Sequence, residues 1–137
     1  PAEFAPPSTD DRRGRNDRLV PRFSTGGKLH IHLRLGGAHA TRGRATVAEV
    51  VDLSITGALV RIGASLRVKP SATITLGDAP STVVCRVAHA SSPEPACQLL
   101  GLEFTEPTDE FCVDVSRAVG ALRKDMGHII KAWHRPN

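Results

Sequence analysis

Five residues of this 137-residue chain could together hold a planar anionic ligand. Arg18 and Arg22 enclose the run Arg18-Leu19-Val20-Pro21-Arg22, and Asp52, Ser54 and Gly57 form an Asp-x-Ser-x-x-Gly stretch. A guanidinium can clamp a phosphate, pair with guanine O6 and N7 in bidentate fashion, or lie flat on a purine face; the point charge of a lysine cannot do all three. A carboxylate at Asp52 can accept hydrogen bonds from N1 and N2 of guanine. The Ser54 hydroxyl, two residues on along the same strand face, can add another contact. Gly57 permits a turn of positive φ or the close approach of a ligand to backbone.

The order and separation of these two halves resemble those of the PilZ domain family, bacterial receptors for the dinucleotide cyclic di-GMP. The resemblance runs from Arg18 to Phe104, and the Gly101-Leu102-Glu103-Phe104 stretch is similar to the last barrel strand of the family. Thr56 stands where many members carry a glycine. The resemblance implies that Arg18, Arg22, Asp52, Ser54 and Gly57 close around cyclic di-GMP, bound as a ligand and not as a catalytic cofactor. It further implies second-messenger signalling in a bacterial cytoplasm, of the kind that regulates motility or biofilms. An alternative from the same family is an adaptor of the pilus or motility type, which keeps the barrel, binds a protein and does not take up the dinucleotide. Asp17, directly before the arginine pair, should repel a second phosphate-bearing molecule, so one ligand per chain is expected.

Other chemistries are poorly supported. No Gly-x-Ser-x-Gly elbow, Walker loop or paired catalytic carboxylates can be assembled, and Asp52 and Ser54 have no histidine beside them in sequence, so no enzyme is expected. His30 and His32 have the spacing of a metal pair on a strand, but no third ligand is positioned locally and a solvated polar face is expected. His39, His89, His128 and His134 are scattered singly.

Net charge is +4, which favours an anionic partner without naming it. Arg12, Arg13, Arg15, Arg18 and Arg22 are interleaved with Asp10, Asp11 and Asp17, unlike a plain DNA-binding arm. Aromatics make up 4% of the chain and Tyr is absent, so the core must be aliphatic and single-stranded nucleic acid lacks stacking platforms. Cys85, Cys97 and Cys112 are odd in number and show no Cys-x-x-Cys spacing, which is the usage of a reducing compartment. No apolar run approaches the ~20 residues of a membrane span. The sequence starts at Pro1 rather than Met and reads as a piece of a longer protein.

The elements that must position the site follow from periodicity. Residues 1–22 are rich in Pro, Ser and charge, and are expected to form a disordered arm carrying the arginine pair. Residues 23–137 are expected to form the barrel and a C-terminal helix. Lys28 to Leu35 alternates strictly, with Leu29, Ile31, Leu33 and Leu35 on one face. Further strands are predicted over Gly43–Leu53, Ala58–Ile62, Ala72–Leu76, Thr82–Ala90 and Ala96–Phe104, with turns at Gly77-Asp78-Ala79-Pro80 and Ser91-Ser92-Pro93-Glu94-Pro95. Six short strands make a small antiparallel β-barrel, a mainly β fold.

From Thr108 the period becomes helical, with Phe111, Val115, Ala118, Val119, Leu122, Met126, Ile129, Ile130 and Trp133 at steps of three and four. A helix over about 108–134 would span roughly 39 Å, twice the ~17–20 Å of a typical strand. Its first half is therefore expected to pack on the barrel mouth. Met126, Ile129, Ile130 and Trp133 would then meet a second copy or a partner protein, unless the helix breaks near Gly120 or Gly127 and folds back.

Overall fold

The computed structural model describes residues 21–63 and 65–124. Arg18, the arm before Pro21, and Met126, Ile129, Ile130 and Trp133 lie outside the described residues. Six antiparallel strands close into a barrel in the order β1-β2-β3-β6-β5-β4, as the alternation predicts. They are β1 (Phe23–Leu35), β2 (Thr46–Leu53), β3 (Gly57–Gly63), β4 (Thr73–Asp78), β5 (Ser81–Glu94) and β6 (Cys97–Pro107), followed by one helix, α1 (Asp109–Arg123).

The barrel is filled by the apolar half of each alternating strand. Leu29 and Leu33 of β1, Val50 and Leu53 of β2, Val60 of β3 and Leu100 of β6 are almost wholly withdrawn from solvent. Each such side chain contributes roughly 1.5–3 kcal/mol of burial. The outward half is polar and paired across strands: Arg61 meets Glu49 at 3.1 Å, and Arg86 meets Glu103 at 2.9 Å.

Two strand boundaries move by four residues or more from the prediction. β1 begins at Phe23 rather than Lys28, because Gly26 and Gly27 take positive φ and let the chain detour between Ser24 and Leu29 before pairing resumes. The stretch Ser91–Pro95 is not a turn: β5 continues to Glu94, and only Pro95 and Ala96 separate it from β6. Pro93 is tolerated there because it lies in a register shift between Ser91 and Glu94, where the missing N–H costs no ladder bond.

The helix closes the barrel at one end. Phe111 is fully buried and meets Phe104 edge to face, ring centroids 5.2 Å apart. Val115, Ala118 and Val119 join the same core. Thr108 is the N-cap: its hydroxyl accepts from Phe111 N–H at 3.1 Å and from Thr82 N–H at 3.1 Å, and donates to the Thr82 carbonyl at 2.9 Å. One side chain thus caps α1 and ties it to β5. The sequence predicts a helix to about 134; α1 runs fifteen residues and is capped at Lys124, whose N–H reaches back to the Gly120 carbonyl. Gly120 meets no close backbone, since a Cβ there would find open space.

Candidate functional site

The Asp-x-Ser-x-x-Gly stretch forms the end of β2, a tight loop and the start of β3. Leu53 pairs with Ala58 across the loop, and the Ser54 N–H donates to the Gly57 carbonyl at 2.9 Å. The Ser54 hydroxyl accepts from the N–H groups of Thr56 at 3.2 Å and Gly57 at 3.1 Å, and lies 3.2 Å from the Gly57 carbonyl as a donor. It is therefore a brace inside the turn. The expectation that Ser54 and Asp52 share one strand face does not hold, because β2 ends at Leu53 and Ser54 turns inward, 4% exposed.

Gly57 is needed for space and not for a positive φ. A Cβ on it would overlap the carbonyl oxygen of Leu102 on β6, so the close approach that glycine permits is that of the protein's own neighbouring strand.

Asp52 lies on the outer wall because of a bulge, half-buried and with its Oδ1 withdrawn from solvent. Ala48 and Val50 point into the core, so strict alternation would send Asp52 inward as well. The β2–β3 register shifts between Val50 and Asp52, which makes Val51 the extra residue, sets Asp52 opposite Leu59 and returns Leu53 to the core. The shift is matched on β1, where the buried Thr25 hydroxyl donates to the Val50 carbonyl at the Gly26-Gly27 detour.

The β1–β2 ladder carries Arg22 to this place. Phe23 pairs with Leu53 and Ser24 with Asp52, so the exposed Arg22, one residue earlier, comes alongside the Ser54 turn. Of the five residues expected to act together, the structure brings Arg22, Asp52, Ser54 and Gly57 to one end of the β1–β2–β3 wall; Arg18 lies outside the described residues.

One cross-strand row on the outer wall escaped the sequence reading. Ser24, Asp52, Leu59, Gly101 and His89 are successive partners over β1, β2, β3, β6 and β5. His89 reaches this face through its own bulge, since Cys85 and Val87 point inward and the register shifts between Val87 and His89. A histidine standing where alternation demands an apolar core residue was the available signal.

Among the described residues His32 and His39 make side-chain contacts, His39 Nδ1 lying 2.8 Å from the Thr82 hydroxyl. His32 Nδ1 lies 2.7 Å from Asp78 Oδ2, and Arg34 Nη1 lies 2.9 Å from Asp78 Oδ1. Burial pushes the Asp78 carboxyl up, but the hydrogen bonds and positive charge of His32 and Arg34 outweigh it and hold the group below the ordinary carboxylate value. Cys85 is buried in the core, and desolvation pushes its thiol well above the ordinary range; Cys85, Cys97 and Cys112 are all free thiols. Among the described residues no cluster of metal-ligating side chains is present, and no helix is long and apolar enough to cross a membrane.

No protein-family model and no curated protein matches the sequence. Among solved structures, the chain is similar to the PlzA protein of Borreliella burgdorferi in its crystal structure with c-di-GMP, at 15% identity and a TM-score of 0.48. The match covers 82% of this chain and 55% of that one, so the chain spans about half the length of the solved protein.

Proposed function

We propose that the protein is a non-enzymatic receptor for cyclic di-GMP. The observation that supports this best is the register: with Phe23 opposite Leu53, a guanidinium at Arg22 and a carboxylate at Asp52 flank one backbone turn on the outer wall. A cationic fork beside an acceptor suits a guanine nucleotide, whose phosphate and Hoogsteen edge call for the first and whose N1 and N2 donors call for the second.

In this reading Arg22, with Arg18 from the preceding arm, takes phosphate and base edge. Asp52 accepts from guanine, and the Ser54 to Gly57 turn, whose hydrogen bonds are made within the protein, holds the wall beside it in shape. Ordering the arm costs about 1–2 kcal/mol per residue fixed, and charge-assisted hydrogen bonds of roughly 1.5–3 kcal/mol each must exceed that. Closure of the arm over the wall would change the surface offered to a partner or an attached domain, which is the output. One ligand per chain is expected, in a bacterial cytoplasm.

Titration calorimetry of cyclic di-GMP into the wild type, Arg22→Ala and Asp52→Ala, with GTP and cyclic di-AMP as controls, tests the reading. Binding to the wild type that is lost in both variants supports it. A folded wild type that takes up no dinucleotide overturns it in favour of a barrel adaptor that binds protein.

A further inference from the structure

We propose that His89 forms a second recognition point on the same outer wall, a flat platform on which one guanine of the dinucleotide stacks. The inference rests on the receptor reading above and adds to it a residue outside the Arg-x-x-x-Arg and Asp-x-Ser-x-x-Gly stretches.

Two bulges carry it. In β2 the shift at Val51 turns Asp52 outward, and in β5 the shift between Val87 and His89 turns His89 outward. Without these shifts both polar side chains would point into an aliphatic core, the first beside Val50 and the second beside Val87. Bulges re-aim side chains and gather next to binding sites. Here both deliver their residue to one register row, Asp52–Leu59–Gly101–His89. At about 4.8 Å per strand, the two ends of the row lie roughly 14 Å apart along the wall, a span suited to a ligand with two bases.

The middle of the row is shaped to stay low. Gly101 has no side chain, and the His89 ring lies over it: a Cβ on Gly101 would be 2.6 Å from His89 Nε2 and 2.9 Å from its Cδ2. The imidazole therefore leans across β6 towards the half-buried Leu59 and does not stand away from the wall. His89 is exposed and its ring nitrogens make no hydrogen bond among the described residues, so no structural bond accounts for its place. An apolar Leu59 and a planar imidazole lying over the side-chain-free Gly101 make a surface for a purine face, with Asp52 at the far end as acceptor. In a chain with so few aromatic residues, this imidazole supplies the flat ring on the wall.

The test is calorimetric titration of cyclic di-GMP into the wild type, His89→Ala, His89→Phe, Gly101→Ala and the double variant, with nuclear Overhauser contacts between imidazole and guanine protons in the wild-type complex. His89→Ala should raise Kd about tenfold, the usual scale of one lost base stack. His89→Phe should keep the affinity, which a role in polar or purely structural support would not explain. Gly101→Ala should weaken binding by displacing the ring, and should add nothing in the His89→Ala background. Unchanged affinity in His89→Ala, alongside lost binding in Asp52→Ala, overturns the platform and leaves the receptor reading standing. A folded wild type without binding overturns the receptor reading itself.

Discussion

Gly57 and the carbonyl of Leu102 are packed so closely that β3 can begin only at a residue without a side chain. Gly57 also pairs with Glu103, and the Phe104 N–H donates to the neighbouring Thr56 carbonyl at 2.9 Å. The loop after Asp52 is thereby fastened to β6 as well as to β2. Both anchors meet at this glycine.

Gly57→Ala should destabilise the fold by about 1–3 kcal/mol, because the blocking atom belongs to backbone and cannot rotate away. Urea unfolding should show a lower midpoint with an unchanged slope. Dinucleotide affinity should fall with it, since the loop would be pushed off β6.

Ser54→Ala separates bracing from contact. The hydroxyl satisfies the Thr56 and Gly57 N–H groups within the turn, so its removal should cost about 1–2 kcal/mol of stability and weaken ligand binding together. Asp52→Ala should weaken binding with a much smaller effect on stability. Paired unfolding and calorimetric measurements on the two variants distinguish the roles.

Acid should act through Asp78. Its folded carboxyl is held below the ordinary value by His32 and Arg34, so its contribution to stability is complete above the unfolded carboxylate pKa of about 3.9 and disappears as pH falls through the lower folded value. The group is more than half exposed, so the effect is small and screened by salt. Asp78→Asn should flatten the acid limb of the Tm profile at low ionic strength and change little in high salt.

Strict alternation made the core face of β1 legible from Leu29 to Leu33 but not at Leu35, which is 52% exposed where the strand ends, and the three-four spacing of Phe111, Val115, Ala118 and Val119 announced the face of α1 that fills the barrel mouth. Local sequence narrows the helix cap to Thr108 or Asp109, both N-cap types, and the structure places it at Thr108. What alternation could not reveal were its interruptions. A bulge leaves composition unchanged and reverses the facing of every residue after it, so the outward turn of Asp52 and of His89 could not be read from alternation. The row that joins them comes from the pairing of four strands, two hairpins set side by side by the β3–β6 contact. Asp114 escaped for a similar reason: it occupies a buried helix position because Ser81, at the start of β5, donates to its carboxylate at 2.7 Å.

The barrel is joined into a ring at the β1–β4 boundary, where the backbone partners are Leu33 with Leu76, Arg34 with Thr75 and Leu35 with Ile74. This short seam is sewn by side chains: Arg34 and His32 onto Asp78, Arg34 onto the Gly77 carbonyl at 3.3 Å, and the Thr75 hydroxyl onto the Gly36 carbonyl at 3.0 Å. A ring closed partly by charge has a preferred place to part. Parting of this seam, which requires its backbone pairs to break as well as the Asp78 contacts, would turn the cylinder into a curled ribbon whose two newly bared edges, β1 and β4, each present unpaired amides and carbonyls. Those edges are what another chain could add a strand to, and while the ring is shut they do not exist.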